Sequence, residues 1–115
     1  MLARAHRMRD GDAFRHTMRR GTKGVAPTLV VHAVTAPEPA DSSVGFVVSK
    51  AVGSAVDRNR VKRRLRHLVR ERVGALDAAT WIVVRALPPA AKAPLAALSR
   101  DLDRAMARAL DGRSR

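Results

Sequence analysis

The chain has 115 residues, room for one domain with one modest core. It carries 23 Lys and Arg against 10 Asp and Glu, a net charge of +13, and it has no cysteine. That much like charge repels itself in a folded domain of this size and calls for a polyanionic partner, while the missing thiols exclude disulfides, thiolate metal sites and cysteine nucleophiles. No apolar run reaches the ~18–20 residues of a membrane span. Met1–Asp10 carries Arg4, Arg7 and Arg9, as an organellar transit segment does, but no spacer divides it from the patterned chain and it lacks a signal peptide's apolar core. A cytoplasmic location with no membrane partner is the expectation. Hydrophobic residues make up 46% of the chain, so it is a folded domain and not a basic tail. Arg outnumbers Lys 19 to 4 in an Ala-rich sequence. That bias reads mainly as GC-rich coding, and it says little by itself about forked phosphate recognition.

In chain order, Asp10–Gly21 predicts a short helix. Asp10 or Asp12 can cap it, Phe14 and Met18 share a face at i, i+4, and Gly21 stops it. A short edge strand fits near Lys23–Ala26. Thr28–Thr35 is β-branched and lies between prolines at 27, 37 and 39, which predicts a strand. Pro37–Ser43 is a polar turn, and Val44–Ser49 reads as a second strand, expected to lie antiparallel to the first.

Ser54–Val73 is the strongest helix in the sequence. Ser54 is an apt N-cap with Asp57 three residues on, and Gly74 supplies the stop. At 100° per residue, Val61, Leu65, Leu68, Val69 and Val73 fall within an arc of about 140°, which must face a core. Asn59, Arg60, Lys62, Arg63, Arg64, Arg66, His67 and Arg70 occupy most of the rest. Thr80–Ala86 reads as a third clear strand, ended by Leu87-Pro88-Pro89. Leu95, Leu98, Leu102, Met106, Ala109 and Leu110 recur at helical spacing through a last helix, on which Asp101 and Asp103 point to different faces. The order is helix, two or three strands, long basic helix, strand, helix: an α+β sandwich. No repeat or internal boundary divides it, so residues 1–115 are taken as one domain, with 1–6 and 112–115 expected to be disordered.

Between Asp57 and Arg72 stand eight basic residues and two acids. Solvated helix faces usually mix signs and place acids i, i+4 from bases. Here Arg60/Arg64, Lys62/Arg66 and Arg66/Arg70 are like-charge pairs, each costing about 0.2–0.5 kcal/mol in isolation. A helix that tolerates this has an external use for the charge, and nucleic acid fits better than a membrane surface, since the apolar stripe is needed by the flanking strands. Helix-turn-helix binding to duplex DNA is the rival, but it needs a second helix just before the reader helix. Strand-like segments flank this one on both sides.

Ser49-Lys50, Val52-Gly-Ser-Ala-Val56 and Arg58-Asn-Arg-Val-Lys-Arg-Arg-Leu-Arg66 resemble the signature of the protein component of bacterial ribonuclease P. The Arg-Asn-Arg and Lys-Arg-Arg-Leu-Arg elements stand in register on one helix behind a Ser-Lys strand end. The likeness reaches back to Arg7-Met-Arg9 and Asp12-Ala-Phe14, and covers roughly residues 7–110.

The resemblance implies an αβββαβα fold with a mixed four-stranded sheet. Its signature helix would join two parallel strands by a left-handed crossover, against the ~98% right-handed norm. It also implies a division of labour: a large catalytic RNA holds the Mg²⁺ that activates water, and cuts the 5′ leader from precursor tRNA. No protein residue is then catalytic, and no further protein partner is implied. In keeping with this, the acids are scattered and His6, His16, His32 and His67 show no metal-ligand spacing. Carried over by position, Arg58, Asn59, Arg60, Lys62, Arg63, Arg64, Arg66, Arg70 and Lys50 would bind RNA, the arginines through forked donors and Asn59 by donating and accepting at once. Phe14, Met18, His32 and Ser49 would line the cleft for the single-stranded leader, where aromatics stack on bases.

This sequence departs from the family pattern at three places. Met18 stands where Phe is frequent, His32 where an aromatic is frequent, and Ser49-Lys50-Ala51 replaces Ser-Lys-Lys. Aromatics are only Phe14, Phe46 and Trp81, so weaker stacking is expected. Read from the residues alone, Phe14 and Met18 also suit an ordinary core, Phe46 and Trp81 suit a core better than a ligand, and His32 divides between leader contact and plain strand residue. Two other functions compete with the ribonuclease P reading. They are a general or ribosome-associated RNA-binding module and a protein-only nuclease.

Overall fold

A computed structural model describes residues 7–8, 11–36, 42–76 and 79–113. Asp10, most of the Pro37–Ser43 turn and both expected disordered termini, save residues 112–113, lie outside the described residues. The described elements are α1 (Gly11–Arg20), β1 (Thr22–Val25), β2 (Leu29–Thr35), β3 (Ser43–Val47), α2 (Ala55–Arg70), β4 (Thr80–Ala86) and α3 (Leu95–Arg113). Short 3₁₀ turns at Lys50–Val52, Val73–Ala75 and Pro88–Ala91 were not foreseen. The strand-end Ser49-Lys50 therefore belongs to the approach to α2 and not to β3.

The sheet runs β1-β2-β4-β3. β1 pairs antiparallel with β2, β2 antiparallel with β4, and β3 parallel with β4. The expected antiparallel pairing of β2 with β3 is thus corrected, because β4 lies between them. β4 suits the centre, since Ile82, Val83 and Val84 are all buried and so both of its faces are apolar. Seven residue pairs from Leu29↔Ala86 to Thr35↔Thr80 join it to β2, against five to β3. Parallel β3 and β4, linked through α2, form the βαβ unit that the resemblance implies.

Helices cover both faces. Leu29, Val31 and Ala33 of β2, Val44 of β3 and Ile82, Val84 and Ala86 of β4 meet α2 and α3 in the main core, with Phe46 packed at its margin. Val83 faces the other way, into a smaller cluster with Met8 and Ala13 of the N-terminal region. Trp81 joins that cluster, half-buried, with its ring edge-on to His16 at 6.0 Å. α1 therefore seats Ala13 and Thr17 and leaves Phe14 and Met18, which share a face, half-buried at its margin. The Thr17 hydroxyl donates to the Ala13 carbonyl at 2.8 Å, and the Gly21 amide closes the helix on Thr17 at 2.9 Å.

α2 starts as the sequence predicts, with a reciprocal Ser54–Asp57 capping box. It ends three residues early. The Arg72 guanidinium turns back to donate to the Leu68 carbonyl at 2.7 Å, to Asp103 at 2.6 Å and to Ser99 at 2.7 Å, tying the end of α2 to α3. The Arg72 hydrogen bond and charge hold the Asp103 carboxyl below the usual carboxylate range. α3 meets β1 at Gly24, where a Cβ would run into the Ala105 carbonyl, so no larger residue fits without moving the helix. Among the described residues no helix is long and apolar enough to cross a membrane.

Asp101, only 1% exposed, fastens α3 to the turn before β2: it accepts from the Thr28 amide at 3.1 Å and hydroxyl at 2.6 Å. Asp101→Ala leaves both donors buried without an acceptor. It is expected to cost about 2 kcal/mol in urea or thermal unfolding, and Asp103→Ala, at an exposed carboxylate, clearly less.

Candidate nucleic-acid interface

α2 is amphipathic in the strict sense that its two sides have different partners. Val61, Leu65, Leu68 and Val69 are buried against the sheet and α3. Asn59, Arg63, Arg66, His67 and Arg70 are exposed, and Arg58, Arg60, Lys62 and Arg64 are half-buried. Acids on the helix relieve little of this charge: Asp57 pairs with Arg60 at 3.3 Å and Glu71 lies 3.3 Å from His67.

The cations divide between the two flanks. On one, Lys62 and Arg66 reach toward β3 and α1, and with Asn59, Arg63 and His67 they border a surface groove of about 590 Å³. On the other, Arg60 donates to the Ala91 carbonyl at 3.1 Å and Arg64 to the Ala93 carbonyl at 3.3 Å. Arg58 stays near the helix start, 3.4 Å from the Gly53 carbonyl. Lys50 and Ser49 are exposed in the turn ahead of α2.

A second groove, of about 280 Å³, lies between the N-terminal region and α2. Arg7, Met8, Phe14, Val44, Gly45, Phe46, Lys62 and Arg66 line it. Its floor depends on Gly45: a Cβ there would collide with the Phe14 ring, so bare backbone is what lets the ring lie on β3. The fold thus brings Phe14, from the leader-site candidates, together with Lys62 and Arg66, from the RNA-site candidates. Met18, like Phe14, packs against the cluster of Met8, Ala13 and Val83, but it does not line the groove. Arg7, Met8 and Gly45 were not singled out as site residues. A glycine inside an otherwise β-branched strand is the signal that could have found the last.

His32 departs most from its expected role. It is 3% exposed, so the fold corrects the reading of it as a ring offered to a ligand. Paired with Val83 in the β2–β4 register, it points to the sheet face that α1 covers. Among the described residues neither ring nitrogen has a hydrogen-bond partner, and neither does the Nε of Arg85. Burial lowers the His32 pKa, and the nearby charges of Arg85 and Lys23 lower it further. Nor do the described residues gather three or more His, Asp or Glu side chains where a metal ion could sit.

Comparison with known proteins gives this interface its context. The ribonuclease P family model matches residues 2–110. The chain belongs to the ribonuclease P protein family. It is 57% identical over 111 residues to a ribonuclease P protein component of a Nocardioides species, covering 94% of each chain. To that of Streptomyces bikiniensis it is 50% identical over 123 aligned positions, covering the whole of both. Among solved structures, the RNase P protein of Staphylococcus aureus superposes with a TM-score of 0.79 at 25% identity, over 90% of this chain and 94% of that one. The RNase P protein of Thermotoga maritima shares the fold, with a TM-score of 0.71 at 23% identity over 84% and 91%. The ribonuclease P protein resemblance carried by Arg58–Arg66 therefore extends over nearly the whole chain.

The buried histidine makes stability depend on pH. A native pKa below the unfolded value means that the unfolded chain binds more protons, so stability is full above about pH 6.5 and falls as pH drops below it. Urea unfolding at pH 7.5 and pH 5 is expected to show this loss in the wild type. His32→Gln, which does not titrate, should lose less over the same interval.

Proposed function

We propose that the chain is the protein subunit of ribonuclease P, that α2 docks on the catalytic RNA, and that the groove beside Phe14 grips the 5′ leader of precursor tRNA. The single observation that carries this reading is the composition of the groove. The groove sets the Phe14 ring, which can stack on an unpaired base, beside Phe46 and across from the cations Lys62 and Arg66, which with Arg7 can meet the phosphates of the same strand. Flexible single strands present bases and phosphates together in this way, whereas a duplex hides its base faces.

On this reading hydrolysis belongs to the RNA, which holds most of the Mg²⁺, and the protein raises affinity for the precursor by holding its leader. The protein's positive charge also lowers the Mg²⁺ needed to bring two polyanions together. Exposed Arg63, Arg70, Asn59 and Lys50 extend the docking surface beyond the groove, and Ser49 adds a hydroxyl ahead of α2. Met18 contributes by packing, as Phe14 does, against the cluster of Met8, Ala13 and Val83, and His32 by packing under α1. The expected compartment is the cytoplasm.

Reconstitution tests the reading. Added to a bacterial ribonuclease P RNA at low Mg²⁺, the protein should raise cleavage of precursor tRNA at the 5′ end of the mature sequence. Binding to both RNAs without any gain in cleavage would favour a general RNA-binding module, and cleavage without added RNA would favour a protein-only nuclease. Phe14→Ala is expected to weaken precursor tRNA binding by about tenfold while leaving mature tRNA binding nearly unchanged, as the loss of one stacked base would. Equal losses for the two ligands would assign the ring to packing.

A further inference from the structure

The flank of α2 that faces away from the leader groove has its own concave surface. A hollow of about 430 Å³ lies between α2 and the turn joining β4 to α3, lined by Arg60, Arg64, Ala91, Lys92, Ala93 and Pro94. Hydrogen bonds to the carbonyls of Ala91 and Ala93 hold the two guanidinium groups at its edge, leaving other N–H groups of each fork uncommitted. The Nε of Arg60 is buried and has no partner among the described residues. Lys92 is exposed and makes no ion pair with any described residue. Asp57 is the acid at this edge, paired with Arg60, so three cations face one carboxylate. The first turn of α3, which follows Pro94, has no acidic residue to offset its positive end.

We infer that the turn joining β4 to α3 belongs to the RNA-docking surface, Lys92 completing, beside the Arg60 and Arg64 that the signature helix already offers to RNA, a second phosphate seat for the sugar–phosphate backbone of the ribonuclease P RNA. The inference rests on the proposed function and deepens it. At 100° per residue, Arg60 and Arg64 lie about 160° around α2 from Lys62 and Arg66. Two rows of cations on opposite flanks of a cylinder roughly 10–12 Å wide suit two backbone strands running past its sides. Asn59, Arg63 and His67 lie between the rows, on the outermost side of the helix. Helix α2 is then straddled by RNA, and the turn after β4, which carries no family motif read from the sequence, becomes part of the interface through Lys92.

Lys92→Ala tests this directly, since an exposed, unpaired lysine can be removed with no change in melting temperature. Binding to the RNA subunit alone, measured across a salt series, is expected to weaken about three- to tenfold, and the plot of log K against log salt to flatten by roughly 0.7–0.9. Arg63→Ala, on the exposed outer side of α2 and outside the leader groove, serves as the comparator. Because the chain has no native cysteine, Lys92→Cys and Arg66→Cys each offer one thiol for an iron chelate that cuts nearby RNA. Cuts from the two positions should fall on different backbone segments. If Arg63→Ala flattens the slope and Lys92→Ala does not, the second seat is wrong and the proposed function stands. If neither flattens it, both fail together. A Lys92→Ala defect seen only with precursor tRNA would also overturn the assignment to the RNA subunit.

Discussion

The seating of α2 is the constraint on which the rest of the molecule depends. Val61, Leu65, Leu68 and Val69 are almost fully buried in the main core, and at roughly 1.5–3 kcal/mol per fully buried aliphatic side chain this burial outweighs the cost of crowding like charges along the helix. Once that stripe is buried the rotation of the helix is set, and every cation must emerge on the flanks or the outer side. A helix free to roll would average its charge. This one cannot roll, so each flank keeps a constant set of donors.

The other fastenings serve the same end. Arg72 joins the end of α2 to Asp103 and Ser99 of α3, and Asp101 joins α3 to the turn before β2. Gly24 lets α3 approach β1 to backbone contact, and Gly45 lets Phe14 lie on β3. Each is a close approach between elements distant in sequence. Together they place the rings of Phe14 and Phe46 and the cations Arg7, Lys62 and Arg66 around one groove, which is the feature a single-stranded ligand would recognise. On the proposed reading the protein supplies position and charge, and its small size and scattered acids suit a role as partner to an RNA that performs the chemistry.

Much of the fold was legible in the sequence for local reasons. The Ser54–Asp57 capping box, the apolar stripe of α2, the β-branched run of β4 and the spacing of α3 are short-range signals, and all are found where they were read. The order of strands was not legible. Putting β4 between β2 and β3 depends on long-range pairing, which hydrophobic alternation does not encode, although the apolar character of both faces of Ile82-Val83-Val84 is consistent with a central strand. The early end of α2 likewise reflects a tertiary bond, from Arg72 to α3, that overrides the helical pattern.

The candidate site divides in the same way. By itself the sequence determined that a cationic helix face exists, which residues compose it, and through the Arg58–Arg66 motif which family the chain belongs to. Periodicity and motif are properties of neighbouring residues. Only the tertiary structure decided that Lys62 and Arg66 share a groove with Phe14, that Arg60 and Arg64 bind their own chain's carbonyls on the far flank, and that His32 is buried. Those outcomes depend on which sheet face α1 covers and how α2 crosses β3 and β4. Both are set by packing between segments tens of residues apart, where no local rule reaches.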